Sequence, residues 1–222
     1  MEKINSWLTL MGNVGVIAGV FFLAYELQQN NELSVQESRY SMLQNSKDWV
    51  QFIAGNKDVS NLFKQTDKSI GTPNLVIYNS SARLKGSIIE LDPQKTQEAI
   101  NVTCFGAFLV AQEASKRMLK RKSGSIFFTG ATAGIKGFAK SSVFAMGKFG
   151  LRGLAQSLAR ELHPQNIHIG HFVIDGAIGK EPFGDYETIN PDSIAKTYLD
   201  FYNQDKSAWS WEVELRTSAE KF

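Results

Sequence analysis

The feature that most constrains the fold is a regular alternation of short apolar runs with helical patterns downstream of residue 70. The character of the sequence changes at Gly71-Thr72-Pro73. Beyond it come LVIY at 75–78, a helical pattern over 93–121, SIFFTG at 125–130, a second helical pattern over 142–162, and IHIGHFVI at 167–174. Strands that alternate with helices of this length indicate a parallel sheet with crossover helices. The sequence therefore predicts an α/β domain over residues 71–222.

An uncharged apolar run lies near the amino terminus. Residues 7–25 read WLTLMGNVGVIAGVFFLAY, and a helix of this length rises about 28 Å, close to the hydrocarbon thickness of a bilayer. Trp7 and Tyr25 stand where interfacial aromatic residues belong. We interpret residues 1–30 as a transmembrane helix with its flanks, which predicts a single-pass membrane protein with a cytoplasmic α/β domain, although the flanking charges do not fix the orientation. A cleaved signal peptide and a buried core helix are the alternatives.

The segment between these two parts, residues 31–70, is polar and helix-prone. Its apolar residues are spaced as in one or two amphipathic helices. We interpret it as a helical linker that packs on the downstream domain or binds a partner.

Composition excludes several classes of function. A net charge of +2 gives no electrostatic reason to expect nucleic acid as a partner. The single cysteine, Cys104, excludes an internal disulfide and a cysteine-based zinc site. His168 and His171 are three positions apart in a predicted strand, so they point to opposite faces and make a poor metal pair. No metal site is predicted, and the tail at 207–222 is predicted to form a last strand packed on the core.

Four landmarks follow the predicted strands and helices in a fixed order. They are Asn79-Ser-Ser-Ala82 after LVIY, Asn101 on the next helix, Ala131 thirteen residues before the Phe144-Ala-Met-Gly-Lys148 helix, and Asp175-Gly176-Ala-Ile178 after the last apolar strand. In this order they resemble the C-terminal part of the short-chain dehydrogenase/reductase family, over about residues 73–222. The resemblance implies a Rossmann-like sheet, an oxidoreductase lineage, and NAD or NADP as cofactor.

The resemblance also assigns positions around that cofactor. Asn79 corresponds to a residue beside its adenosine end, and Lys148 to the lysine that holds its ribose. Asp175, Gly176 and Ile178 fall in the segment whose backbone contacts the nicotinamide amide.

The catalytic positions depart from the family pattern. Lys148 and Asn101, the latter at the place of an asparagine that holds a water in the proton relay, are retained. Ala131 replaces the serine that orients the carbonyl, and Phe144 replaces the tyrosine that moves the proton. Loss of a positioned general acid typically costs 10²–10⁴-fold in rate. A branch of the family with similar motifs suggests another proton donor, and the candidates are Thr132, Ser142, His171 and Asp175.

The glycine-rich cofactor loop that opens this family is not found in residues 1–70. Gly12, Gly15 and Gly19 are spaced three and then four apart, whereas the family's motif needs four and then two. A similar run from Thr129 has Lys136 at the place of the third glycine. We therefore predict a partial Rossmann-like sheet in which the membrane helix and linker replace the first three strands.

These observations leave several functions open. The first is an oxidoreductase of this lineage that is catalytically impaired. The second is an active enzyme with an atypical proton donor, or with the missing half supplied by another chain. The third is a membrane-tethered binding or scaffold module, and the fourth is an artefactual fusion of two unrelated pieces. Because an open sheet edge favours association, we expect the 26–70 helices to cover it, or two chains to pair through the 93–121 and 142–162 helices.

Overall fold

The computed structural model describes residues 56–182 and 187–219. The transmembrane helix predicted over residues 7–25 lies outside these ranges, as does most of the predicted linker. Among the helices inside them, none is both long and apolar enough to cross a bilayer.

The centre of the described domain is a four-stranded, wholly parallel sheet, which confirms the predicted α/β class. Its strands are β1 (Leu75–Tyr78), β2 (Gly124–Thr129), β3 (Ile167–Asp175) and β4 (Glu212–Arg216), and they pair in that order across the sheet. Where β1 pairs with β2, Leu75 lies opposite Ser125. Where β2 pairs with β3, Gly124 lies opposite Ile167. All nine residues of β3 are buried, as expected for a central strand covered on both faces.

In the described part of the chain, five α-helices accompany these strands. They are α1 (Asn56–Ser69), α2 (Pro93–Ile100), α3 (Gly106–Arg121), α4 (Ser142–Leu162) and α5 (Pro191–Tyr202).

Two apolar clusters fix these helices to opposite faces of the sheet. On one face, α1, α3 and α4 pack over alternate strand residues such as Ile126, Phe128 and Ile169. On the other face, α5 packs through Phe201 against Phe127 and its strand neighbours. Because successive strand side chains point to opposite faces, one short run of phenylalanines supplies both cores.

The helix predicted over 93–121 is interrupted at one point. Asp92 caps α2 by accepting a 2.8 Å hydrogen bond from the Lys95 N–H, and a π-helical turn over Asn101–Phe105 joins α2 to α3. α4 approaches this turn closely, since a Cβ placed on Gly147 would lie 2.9 Å from the Thr103 side chain. The absence of a side chain at residue 147 therefore allows α4 to pack against the turn.

The described end of the predicted linker packs on the α/β domain. Val59 and Phe63 of α1 are buried in the first apolar cluster. Asp67 of the same helix accepts a 2.6 Å hydrogen bond from Arg117 of α3, and Arg117 also pairs with Glu113 at 2.8 Å. α1 thus belongs to the same compact unit as the sheet, which spans Trp49–Phe222.

The carboxyl-terminal part holds one predicted and one unpredicted element. β4 confirms the last strand expected in the tail, whereas α5 was not predicted. Its signal is Asn190 followed by Pro191 and Asp192, in which the Asn190 side chain accepts a 2.8 Å hydrogen bond from the Asp192 N–H. Proline at the first position of a helix after such a cap is a common start signal.

Candidate active site

A cavity of about 930 Å³ opens at the carboxyl ends of β2 and β3. Its walls come from the loop after β1, the loop over residues 131–141, the start of α4 and residues 174–178. The carboxyl edge of a parallel sheet is where open α/β folds bind ligands. The cavity is therefore the candidate active site.

The two positions that depart from the family pattern, Ala131 and Phe144, both line this cavity. Ala131 follows β2 in an extended conformation, and Phe144 lies in the first turn of α4 with 7% of its surface exposed. The guanidinium of Arg83 stacks over the Phe144 ring, 4.1 Å from its centroid. The position of the family's tyrosine is thus occupied by an aromatic face covered by a cation.

Lys148 lies one helical turn after Phe144 and is almost completely buried, with 3% of its surface exposed. Its Nζ donates a 2.6 Å hydrogen bond to the Thr129 carbonyl at the end of β2. The same Nζ lies 5.8 Å from the Phe144 ring centroid. Burial, with a smaller contribution from Arg83, lowers the pKa of Lys148 to about 8. Its buried position therefore disfavours the charged form of the lysine.

Asp175, Gly176 and Ile178 line the cavity at the end of β3, and their contact with a nicotinamide stays a prediction. The Asp175 carboxylate accepts a hydrogen bond from the Thr132 hydroxyl and pairs with Arg216 at 3.2 Å. Two of the four candidate proton donors, Thr132 and Asp175, are therefore in contact within the cavity wall.

Two other predicted site residues lie away from the cavity wall. Asn101 is half-buried at the start of the π-helical turn, where its Oδ1 accepts a 2.9 Å hydrogen bond from Gln97 Nε2. Asn79 is exposed directly after β1. Like Lys148, neither belongs to the residues that line the cavity, so the roles assigned to all three stay predictions.

The remaining donor candidates have different surroundings. Ser142 begins α4 and is half-buried. His171 is wholly buried in β3, and its Nδ1 lies 2.9 Å from Glu212, which also accepts two 2.7 Å hydrogen bonds from Arg152. Burial, above all other effects, lowers the pKa of His171. His171 thus belongs to a side-chain network on the α4 face of the sheet.

His168 points to the opposite face, as its position in the strand predicts. Its ring stacks between Trp209 and Phe201, with centroid distances of 4.5 and 4.9 Å. His168 therefore contributes to packing beneath α5.

Sequence reasoning missed four cations of the cavity wall, Arg83, Lys85, Lys136 and Lys140. They lie in two loops that are distant in sequence, and no spacing pattern connects them. They come together because β1 and β2 are neighbouring parallel strands, so the loops that follow them lie at the same edge of the sheet.

The chain matches the family model described as short chain dehydrogenase over residues 18–177. The match starts well before residue 73, so the range that we identified from motifs is too short at its amino-terminal end. It gives no support to an unrelated segment that runs up to residue 70.

Curated relatives agree with this match. The chain is 30% identical over 109 residues to the 3-oxoacyl-(acyl-carrier-protein) reductase MabA of Mycobacterium tuberculosis, covering 49% of this chain and 44% of that protein. It is 26% identical over 117 residues to the 3-oxoacyl-(acyl-carrier-protein) reductase of Bos taurus, covering 53% of this chain and 49% of that protein. The chain thus spans about half the length of these relatives.

Solved structures show the same fold. A short-chain dehydrogenase from Rhodopseudomonas palustris superposes with a TM-score of 0.65 at 33% identity, covering 74% of this chain and 71% of that one. A metagenomic short-chain oxidoreductase in complex with NADP and a 4-hydroxyisoleucine dehydrogenase complexed with NADH each reach 0.64 at 20% identity. They cover 76% of this chain, and 72% and 79% of their own lengths. The sheet, the cavity at its carboxyl edge and the family match lead to one conclusion: the chain belongs to the short-chain dehydrogenase family.

Proposed function

We propose that this protein is a nicotinamide-nucleotide-binding oxidoreductase of the short-chain dehydrogenase type whose hydride-transfer chemistry is impaired. One observation carries the proposal. Ala131 and Phe144 present no hydroxyl group to the cavity that they line, and the retained Lys148 is buried with its Nζ 5.8 Å from the Phe144 ring centroid. The proposal is thus that a nucleotide still binds where the usual proton donor is replaced.

The described residues fit the nicotinamide end of NAD or NADP. The cavity lies at the carboxyl edge of the parallel strands, and Asp175, Gly176 and Ile178 line it. Two proteins of similar fold were solved with NADP and NADH. We therefore include NAD or NADP in the proposal, with Asp175, Gly176 and Ile178 as its contacts and Lys148 as the cation nearest to its ribose.

The chemistry explains why impairment is expected. When bound, a reduced nicotinamide would supply a hydride to a carbonyl carbon of the substrate, and the carbonyl oxygen would need a proton from the protein. A positioned general acid for that step contributes typically 10²–10⁴-fold. The Phe144 side chain has no acidic proton to donate, and the Lys148 ammonium donates its hydrogen bond to the Thr129 carbonyl. Within the described residues, the direct route for the proton at this position is thus lost.

The test is a titration of NADH and NADPH against the full chain, following nucleotide fluorescence and thermal stability. Saturable binding that weakens in Lys148→Ala supports the nucleotide site, and Lys95→Ala, which removes an exposed lysine of α2, is the control. Absence of binding at millimolar nucleotide would refute the proposal.

One observation favours a second function, an active enzyme with an atypical donor. Thr132 and Asp175 touch each other in the cavity wall, and a hydroxyl bonded to a carboxylate can relay a proton. Thr132→Val would then abolish NADH oxidation in a carbonyl-compound screen without weakening NADH binding. If the wild-type protein shows no turnover in that screen, the result supports the proposal that hydride transfer is impaired.

Pairing of two chains through the predicted 93–121 and 142–162 helices is also part of the proposal. A groove between α3 and α4 is lined by Phe108, Ala111, Leu154 and Leu158. Phe105 and Phe149 nearby are 43% and 44% exposed. Burial of these apolar surfaces against a second copy would remove them from water. Sedimentation analysis tests this assembly.

Membrane attachment through residues 7–25 stays a proposal as well. It is supported by the absence of charge in that run. The family match, which begins at residue 18, supports the alternative that part of the run belongs to the folded domain. Extraction of membranes with alkaline carbonate separates the two, since only an integral protein remains in the pellet.

A further inference from the structure

Four cations line the candidate active-site cavity, and none has an acidic partner within residues 56–182 and 187–219. Arg83 and Lys85 come from the loop after β1, and Lys136 and Lys140 from the loop after β2. The ion pairs of the described residues involve none of these four. We call them the cationic wall.

The two loops that carry the cationic wall are tied to each other. The Gly86 N–H donates a 3.1 Å hydrogen bond to the Lys140 carbonyl, directly after Lys85. Lys140 itself has a left-handed backbone conformation with φ of 59°, which turns the chain into the start of α4. The cations thus come from a connected surface and not from two independent loops.

Aromatic rings hold two of the cations over the cavity lining. Arg83 lies 4.1 Å from the Phe144 centroid, and Lys136 Nζ lies 5.7 Å from the Phe138 centroid. Both rings line the cavity themselves. Cations over aromatic faces are attracted by the ring quadrupole, so these two charges stay at the wall.

The acidic group in the cavity does not neutralise this charge. Asp175 lines the cavity, but its carboxylate is engaged by Thr132 and by Arg216 at 3.2 Å. The amino-terminal end of α4 adds to the positive potential, because Ser141 at its start lines the cavity and helix amino termini carry partial positive charge. The cavity therefore has an excess of positive charge.

We propose that the substrate of this site is an alcohol or ketone that also carries an anionic group, either a carboxylate or a phosphate. The cationic wall binds that anionic group. This proposal rests on the proposed function, because it takes the bound molecule to be a substrate whose reactive carbon lies near Ala131 and Phe144. Carboxylates and phosphates form strong charge-assisted hydrogen bonds with arginine and lysine. Positive walls around a cavity also raise the local concentration of anions.

A nucleotide offers a second source of the same chemistry, its pyrophosphate. The two sources are distinguished by whether the anion competes with NADH for binding. A substrate anion occupies the wall together with bound NADH, whereas a pyrophosphate site would be blocked by NADH.

The test measures the binding of succinate and of inorganic phosphate to the full chain by calorimetry, with and without saturating NADH. Succinamide, the uncharged diamide, is the ligand control. The double variant Lys136→Gln/Lys140→Gln removes two charges from the wall, and Lys95→Gln/Lys120→Gln removes two lysines outside the cavity lining. Circular dichroism of each variant establishes that it is folded.

We expect at least one of the two anions to bind, with an affinity about tenfold lower in Lys136→Gln/Lys140→Gln and unchanged in Lys95→Gln/Lys120→Gln. Binding should fall with added salt, persist with NADH, and be absent for succinamide. If only phosphate binds, a phosphate ester is the substrate class, and if only succinate binds, a carboxylate is.

Equal affinity in the wall variant and the wild-type protein would overturn the proposal, as would competition between the anion and NADH. Failure of the proposed function is seen separately. If NADH does not bind while the anion binds in a wall-dependent manner, the anion site stands and the assignment as an oxidoreductase substrate site falls.

Discussion

Replacement of Lys148 by methionine tests whether burial of this ammonium lowers the unfolding free energy of the protein. The side chain has 3% of its surface exposed, and burial lowers its pKa from 10.5 to about 8. Each pKa unit corresponds to 1.36 kcal/mol, so the charged form costs on the order of 3 kcal/mol. Methionine has a similar length and no charge, and therefore avoids this cost.

The sign of the pH dependence follows from the two pKa values. Below pH 8 the lysine is charged in both the folded and the unfolded chain, and the full cost is present. Between pH 8 and 10.5 the folded protein releases the proton while the unfolded chain keeps it, so stability rises with pH. Relative to Lys148→Met, the wild-type protein should gain on the order of 2.5 kcal/mol in unfolding free energy between pH 7 and 10.

The assay is urea unfolding of both proteins at fixed concentration across this pH range, without nucleotide. Subtraction of the two curves cancels the groups that titrate equally in both proteins. The variant Lys95→Met, at an exposed position of α2, provides the baseline for the same subtraction. A wild-type minus Lys148→Met difference that stays flat from pH 7 to 10 would refute the burial argument.

Three further results are expected. Ala131→Ser combined with Phe144→Tyr should raise NADH-dependent reduction of a carbonyl substrate by about 10²-fold or more, and an unchanged rate would show that the loss lies elsewhere. Leu158→Glu, in the groove between α3 and α4, should shift sedimentation from dimer to monomer, since a charge would be buried in the pair; a wild-type monomer would contradict the pairing. Gly170→Ala should lower unfolding free energy by about 1–3 kcal/mol, because its Cβ would lie 2.8 Å from Phe127, and thermal melts check this.

The sheet could be predicted closely from sequence because each strand is a short apolar run bounded by loops. LVIY at 75–78 is β1, and the run from Ile167 extends one residue further than predicted, to Asp175. The π-helical turn could not be predicted, since apolar periodicity continues through residues 101–105. α5 was not predicted, although its capping signal at Asn190 is present in the sequence.

The candidate site was predictable only where one sequence motif carries it. Ala131, Phe144 and Asp175 line the cavity because each sits at a strand end or in the first turn of the following helix. Arg83 was not predictable, because its contact with Phe144 joins positions sixty-one residues apart and depends on where β1 and α4 lie in the fold. Contacts of this kind follow from topology and not from spacing.

The π-helical turn between α2 and α3 has a consequence for insertions and deletions in this chain. A π turn accommodates one extra residue within an α-helix. Each residue of a regular α-helix advances the chain by about 100° around the helix axis. Removal of a single residue from Asn101–Phe105 would restore a regular helix and leave the faces of α2 and α3 in their present register. Buried Ala99 would then keep its place in the core. A deletion in the regular part of α2 or α3 would instead rotate one part of the helix by about 100° relative to the other, so tolerance to the loss of one residue should be highest at the π turn.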